Sequence, residues 1–192
     1  LFALKNPNVG MPNNLEVMED KNIDFAIRGE AEYAFLELVN KLANDQDGLD
    51  TAGLVYFRNG QYHINPTPSG GNIQELPFPA RNLMNMEGYF KIGRYHSSKA
   101  RSQRVLNVMA SRGCPEKCTF CSTPEMWGTN IRWRSTKHIM NEISNDVKNF
   151  KIGEIQFEDD TITVSKKNLF SLCKELEKLG LPWCTPNGTK VN

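Results

Sequence analysis

Cys114, Cys118 and Cys121 stand in the run Ser111-Arg112-Gly113-Cys114-Pro115-Glu116-Lys117-Cys118-Thr119-Phe120-Cys121, with the spacing C-x3-C-x2-C. Three thiolates on one short loop can hold three corners of a cubane iron–sulfur cluster. An electron-carrying [4Fe–4S] centre normally takes four cysteines, and the usual bacterial run is C-x2-C-x2-C-x3-C. Here the next cysteine is Cys173, far along the chain. An iron without a protein ligand is an open coordination position. In metal sites a closed shell means structure and an open position means chemistry, as zinc sites show. The loop therefore reads as the seat of a cluster that binds something at its free iron.

Other chemistry for these residues is weaker. A zinc site needs a fourth Cys or His to close its tetrahedron. His96, His138, Cys173 and Cys184 are available, and none lies at the spacing that pairs two C-x2-C units. A disulfide framework belongs to short secreted chains with paired cysteines. This chain has five cysteines and no visible secretory signal. A chance surface cluster of thiols is the blandest alternative.

The bulk composition is that of an ordinary soluble protein: 192 residues, 39% hydrophobic, 23% charged, formal net charge +1. No apolar run approaches the ~18 residues that a membrane helix needs. The net charge gives no reason to invoke nucleic acid. Arg101, Arg104, Arg112, Lys117, Arg132 and Arg134 outnumber Glu116 and Glu125 around the cysteine loop. That bias favours an anionic cofactor group or an acidic electron donor. The cytoplasm is the expected compartment. The chain also reads as a fragment, since it begins at Leu1 and leaves too little sequence after Arg104 for an eight-unit barrel of about 200 residues or more.

The elements that must position the cysteines follow from periodicity. Asn22–Ile27 alternates as a strand, and Arg28-Gly29-Glu30 turns into a helix with Ala31, Phe35, Leu38, Val39 and Leu42 on one stripe. Leu54–Arg58 and Gln61–Ile64 flank Asn59-Gly60, which predicts a type I′ hairpin. Asn65 to about Ala100 is rich in Pro and Gly and reads as a connector, with Leu76-Pro77-Phe78-Pro79-Ala80 extended. From Arg104 the pattern becomes βα units. Val105–Ala110 is a strand feeding the cysteine loop. Ser135 is an N-cap for a helix with Ile139, Ile143, Val147 and Phe150 on one face. Glu154–Glu158 alternates as a second strand. Lys166–Leu179 is a helix with Leu169, Leu172, Cys173 and Leu176 inward, stopped by Gly180, and Pro182–Thr185 begins a third strand. Strand, helix, strand, helix, strand predicts an α/β fold with a parallel sheet and right-handed crossovers. In such sheets ligands sit at the carboxyl ends of strands. The cysteine loop, Asp159-Asp160-Thr161 and Asn187-Gly188 all fall at that rim.

C-x3-C-x2-C with Phe120 before the last cysteine resembles the signature of radical S-adenosylmethionine (SAM) enzymes. The resemblance implies that Cys114, Cys118 and Cys121 bind a [4Fe–4S] cluster whose free iron chelates SAM. The reduced cluster then cleaves SAM to methionine and a 5′-deoxyadenosyl radical, with the protein positioning the cofactors. It implies that Phe120 lies beside the adenine. It also places Asp159, Asp160 and Thr161 where these enzymes usually carry a Gly-Gly-Glu motif that contacts the SAM amino group. Trp127, Trp133 and Arg134 read as braces of the loop, with a cofactor or substrate role open for Arg134. Cys173 and Cys184 read as core residues, and His63, His96 and His138 receive no chemistry.

A narrower resemblance covers nearly the whole chain. Ile27-Arg28-Gly29-Glu30-Ala31-Glu32, the hairpin, Leu76-Pro77-Phe78-Pro79-Ala80-Arg81, Ser111-Arg112-Gly113-Cys114 and Phe157-Glu158-Asp159-Asp160-Thr161 are similar to the cobalamin-binding-domain subgroup of radical SAM proteins. By that resemblance residues 1–50 are the C-terminal end of a Rossmann-like cobalamin-binding domain. Gly10-Met11-Pro12 would stand near a corrinoid contact. Residues 51–100 are a linker with a β-hairpin, and residues 101–192 are the first βα units of a partial TIM-type barrel. The implied cofactors are the [4Fe–4S] cluster, SAM and cobalamin. The implied partners are a small-molecule substrate and a reducing electron donor such as a flavodoxin or ferredoxin. The expected activity is methyl transfer to carbon. A ring-forming or rearranging radical SAM reaction without cobalamin, and a non-catalytic zinc or iron–sulfur module, remain as alternatives.

Overall fold

Asn59 and Gly60 have φ of 53° and 79°. This is the left-handed pair that a type I′ turn requires and that Asn-Gly tolerates best. The pair closes the hairpin in the computed structural model, which describes residues 2–4, 16–67, 70–93, 95–97 and 99–190. The chain divides into two compact units, Leu1–Asn72 with Pro115–Asn130, and Ile73–Cys114 with Ile131–Asn192. The Gly10-Met11-Pro12 run lies outside the described residues.

The first unit holds strands β1 (Phe2–Leu4), β2 (Phe25–Arg28), β3 (Leu54–Arg58) and β4 (Gln61–Ile64) and helix α1 (Ala31–Ala43). The sheet order is β1-β2-β3-β4, with β1 parallel to β2 and the remaining neighbours antiparallel. Successive strand residues face opposite sides. Ile27 and Leu54 pack against Ala34 and Leu38 of α1, while Ala26 and Val55 pack against Met18. The apolar stripe of α1 differs from the sequence expectation. Ala34 and Leu38 are buried, whereas Phe35, Val39 and Leu42 are exposed. The helix meets its sheet along Ala31, Ala34 and Leu38, which pack with Ile27 and Leu54.

The second unit is built on β5 (Val105–Val108), β8 (Glu154–Phe157) and β9 (Trp183–Cys184), all parallel and in the order β5-β8-β9. Helix α4 (Thr136–Phe150) joins the first two and α5 (Lys166–Leu179) the last two. The Ser135 hydroxyl accepts from the His138 amide at 3.2 Å and caps α4, and Gly180, at φ 70°, ends α5 in the left-handed conformation. Leu106, Val108, Ile155 and Phe157 meet Ile139, Ile143, Leu172 and Leu176 in one buried cluster.

Two expectations change here. The connector contains a short helix, α2 (Met86–Ile92), whose Phe90 enters the same core. Asn85 caps it by accepting from the Gly88 amide at 3.0 Å. The alternation of Glu154–Phe157 is not apolar-in, polar-out: all four residues are buried. Glu154 accepts from the amides of Arg101 and Ser102, and Gln156 accepts from that of Ser97 at 3.4 Å. The connector thus covers the polar face of β8, as both faces of a central parallel strand are normally covered. Among the described residues no helix is long and apolar enough to cross a membrane.

Leu172 is fully buried in the second core. Leu172→Ala should destabilise the protein by about 2–5 kcal/mol through lost transfer energy and a residual cavity. Chemical denaturation measures this, and a cost below about 1 kcal/mol would show that the site collapses or is not core.

Candidate cluster loop and its rim

The cysteine loop leaves the sheet at the carboxyl end of β5. A two-residue ribbon, β6 (Ser111–Arg112) against β7 (Arg132–Trp133), brackets it at its base. The ribbon is invisible to periodicity because two residues have none. Within the bracketed run, Thr123–Trp127 forms the short helix α3. Cys114 is buried, with 7% of its surface exposed, and its Sγ lies 3.6 Å from Thr161 Oγ1. Cys118 and Cys121 are exposed, and the Cys121 amide donates to the Cys118 carbonyl at 3.1 Å. None of the three is in a disulfide. Cys114 belongs to the second unit, while Cys118 and Cys121 belong to the segment grouped with the first. Among the described residues no three His, Cys, Asp or Glu side chains stand close enough together to hold a metal ion. The chemistry of the donor set still fits an iron–sulfur cluster. Three free, soft thiol ligands on one short loop suit iron–sulfur better than a hard cation. Phe120 is 91% exposed between the last two cysteines.

The second rim loop is divided in its roles. Asp159 is 2% exposed, and its carboxylate accepts from the Ala110 amide at 2.9 Å and the Ser111 hydroxyl at 2.5 Å. It therefore ties the turn after β8 to the root of the cysteine loop. Burial pushes its carboxyl up to about 6, against the pull of the Ser111 hydroxyl and the Ala110 and Ser111 amides. Asp160 is half-buried, and the Thr161 hydroxyl donates to the Asp160 carbonyl at 2.7 Å. Asn187, after β9, donates to the carbonyls of Glu158 at 3.1 Å and Asp159 at 3.3 Å. The three strand ends are thus hydrogen-bonded to one another at one rim.

The structure also gives partners to the histidines, which received no chemistry from the sequence, and to Arg134, for which a cofactor or substrate role was open. His96 Nδ1 meets Glu158 Oε2 at 2.8 Å, and Asn107 Nδ2 donates to Glu158 Oε1 at 2.7 Å. His63 stacks on Tyr56 in the hairpin, with ring centroids 4.9 Å apart. Arg134 is fully occupied within the fold, donating to Met109 O, His138 Nδ1 and Glu142 Oε2. Cys173 is half-buried on α5, and Cys184 points its Sγ at Glu154 Oε1, 3.8 Å away.

No family model matches the chain. Curated proteins do. It is 31% identical over 196 residues to cytidylyl-2-hydroxyethylphosphonate methyltransferase of Streptomyces wedmorensis, covering 91% of this chain and 37% of that protein. It is 33% identical over 187 residues to an uncharacterised methyltransferase of Pyrococcus horikoshii, covering 97% and 39%. It is 30% identical over 169 residues to the anaerobic magnesium-protoporphyrin IX monomethyl ester cyclase of Rubrivivax gelatinosus, covering 84% and 29%. The chain thus spans well under half the length of these relatives. Solved structures share its fold. The radical SAM methyltransferase TsrM of Kitasatospora setae, solved with cobalamin and a [4Fe–4S] cluster, superposes with a TM-score of 0.58 at 16% identity, over 85% of this chain and 31% of that one. The cobalamin-dependent SAM radical enzyme OxsB, solved with aqua-cobalamin and SAM, gives 0.65 at 19% identity, over 86% and 23%.

The chain is thus similar in sequence to methyltransferases and to a cyclase, and it shares its fold with solved radical SAM enzymes that are themselves cobalamin-dependent or bind cobalamin.

Asp159 supplies a pH test. Its folded pKa of about 6 lies above the ordinary 3.8, so the native state holds this proton more tightly than the unfolded chain. Its contribution to stability is full below pH 3.8 and is lost as pH rises through about 6. Asp159→Asn removes that titration. Raising the pH from about 4 to 7 should shift the stability difference in favour of the variant by about 2–3 kcal/mol. Urea unfolding of both proteins at the two pH values measures it, and parallel pH dependences would refute the assignment.

Proposed function

We propose that this chain carries the cluster loop of an enzyme that cleaves SAM reductively at a [4Fe–4S] cluster and transfers a methyl group to carbon with the help of cobalamin. One observation carries the reading. A C-x3-C-x2-C loop of free thiols leaves the carboxyl rim of a parallel sheet, in a chain related to cobalamin-dependent radical SAM enzymes. When bound, the cluster and SAM supply one-electron chemistry that protein side chains cannot. The chain's own residues do the holding. Cys114, Cys118 and Cys121 ligate three irons. Phe120 would lie beside the adenine. Asp159, Asp160 and Thr161 line the place of the SAM amino group, with the Asp159 side chain fixing the turn and its neighbours offering oxygens.

The same reading assigns residues 1–50 to the end of a cobalamin-binding domain, 51–100 to the hairpin and linker, and 101–192 to the start of a radical SAM barrel. The parallel order β5-β8-β9 with helical crossovers supports the barrel, and α1 against its sheet supports the Rossmann-like end. The substrate is a small molecule, and a flavodoxin or ferredoxin delivers the electron. A reducing cytoplasm suits three free thiols. The cyclase relative favours one second reading, ring formation without net methyl transfer. Visible cobalamin absorption together with label transfer from methyl-deuterated SAM would favour the first reading over it.

Anaerobic reconstitution of the intact protein with iron and sulfide, iron counting, and EPR of the dithionite-reduced sample with and without SAM test the proposal. About four irons per chain and a signal that changes on adding SAM are expected. Cys118→Ala should lose most of that iron. Zinc without iron, or a cluster indifferent to SAM, would sink the reading.

A further inference from the structure

The run Leu76-Pro77-Phe78-Pro79-Ala80-Arg81 precedes the parallel sheet, and the proposed chemistry leaves it without a role. Arg81 Nη1 donates to Glu142 Oε1 at 2.8 Å and to Asp146 Oδ2 at 2.6 Å. Both carboxylates come from α4 and are buried, Glu142 to 1% exposure. Arg81 Nη2 donates to the Asn107 carbonyl at 2.7 Å. Arg134 approaches Glu142 from the other side, at 2.5 Å to Oε2, and donates from Nη1 to the Met109 carbonyl at 2.9 Å. Phe78 of the same run packs on His138, which in turn receives the Arg134 Nε–H at 3.1 Å.

The geometry of the strand gives these contacts their meaning. At the two ends of β5 the carbonyls of Arg104, just before it, and Val108 turn toward β8, where they accept from the amides of Gly153 and Glu158, the residues flanking that strand. Asn107 and Met109 turn their carbonyls to the opposite edge, which has no strand partner among the described residues. The two guanidiniums occupy those acceptors. Just beyond, Asp159 holds the Ala110 amide and the Ser111 hydroxyl. The end of β5 and the residues just past it are therefore gripped on both edges, as far as Ser111, three residues before Cys114.

We propose that Arg81 is a positioning residue for the cysteine loop: through Glu142, Asp146 and Arg134 it fixes the exit of β5, and hence where Cys114 stands against the Asp159–Thr161 turn. The inference rests on the reading that Cys114 ligates the cluster. It assigns the linker motif to the cluster site rather than to spacing. Removing Arg81 alone would leave two buried carboxylates short of a cation, so the informative variant removes a matched pair. Arg81→Leu with Asp146→Leu deletes one charge of each sign and leaves the Arg134–Glu142 pair.

Two readouts on the intact protein test it. In the apo protein, amide hydrogen exchange at residues 108–114 should accelerate about tenfold or more in the double variant, the effect of losing a charge-assisted hydrogen bond. After reconstitution to equal iron, the SAM concentration needed to change the EPR spectrum should rise about tenfold or more for the same loss. Leu172→Ala is the control, since it lowers stability without touching the network and should leave the SAM response of the EPR signal unchanged. If the double variant does not fold, Arg81→Lys replaces it, because an ammonium can face the carboxylates but lacks the fork that also reaches Asn107. Wild-type exchange rates and SAM response in the variant would overturn the inference. A wild-type cluster indifferent to SAM would instead strike the proposed function, and the exchange data alone would then decide the role of Arg81.

Discussion

The structure of the second unit depends on holding one strand end still. β5 delivers the chain into the cysteine loop, and it lies at the edge of its sheet. An edge strand keeps half of its carbonyls unpaired, and such groups recruit a partner strand or water unless something covers them. Here guanidiniums cover the outer edge, and a buried carboxylate takes the amide just past the inner one. The core beneath adds Leu106 and Val108 to the faces of α4 and α5. A loop that must place thiols accurately is thus launched from a strand fixed laterally by ions and vertically by packing.

The buried charges follow from this requirement. A guanidinium can serve a carboxylate and a carbonyl at once, because its nitrogens diverge in one plane. The desolvation of Arg81 and Arg134 is offset by Glu142 and Asp146, which are themselves buried only because the cations are present. Burial still raises the Asp146 carboxyl, against the pull of Arg81. Asp159 shows the other solution. It accepts from the Ala110 amide and the Ser111 hydroxyl, and burial raises the carboxyl to about 6. The same need, fixing backbone at the rim, is met on one edge by paired charges and on the other by a carboxylate that burial disfavours when ionised.

Much of this architecture was legible in the sequence. Asn59-Gly60 marked the hairpin because few other dipeptides accept two positive φ angles. Ser135 and Gly180 marked helix ends, and the order of strands and helices gave the parallel sheet. What escaped depends on distant partners. Glu142 and Asp146 sit on the same face of α4 as Ile139 and Ile143, so acids on an apolar stripe were a readable sign of a buried cation. Which cation, and from where, was not readable, since Arg81 lies some sixty residues upstream. The α1 stripe failed for a different reason. Phe35, Val39 and Leu42 have the right spacing for a core face, but the helix meets its sheet along Ala31, Ala34 and Leu38 instead, and spacing alone does not choose between adjacent stripes.

The polar side of β8 carries the argument furthest. Alternation of Glu154, Ile155, Gln156, Phe157 and Glu158 reads locally as a strand with one wet face. In the structure that face holds the amides of Ser97, Arg101 and Ser102 and the ring of His96. The connector before β5 therefore covers the polar face of the sheet with its backbone, while its earlier part seals the β5 edge with Arg81. A segment that looks like a spacer by composition supplies two of the constraints on the rim. The stretch that lies across the sheet, Ser97 to Ser102, holds no proline, so its amides are free to donate outward to side chains rather than inward to a helix or ladder of its own. The cysteine motif carries the proposed chemistry, but residues that hold the strand leading into it lie before it in the chain.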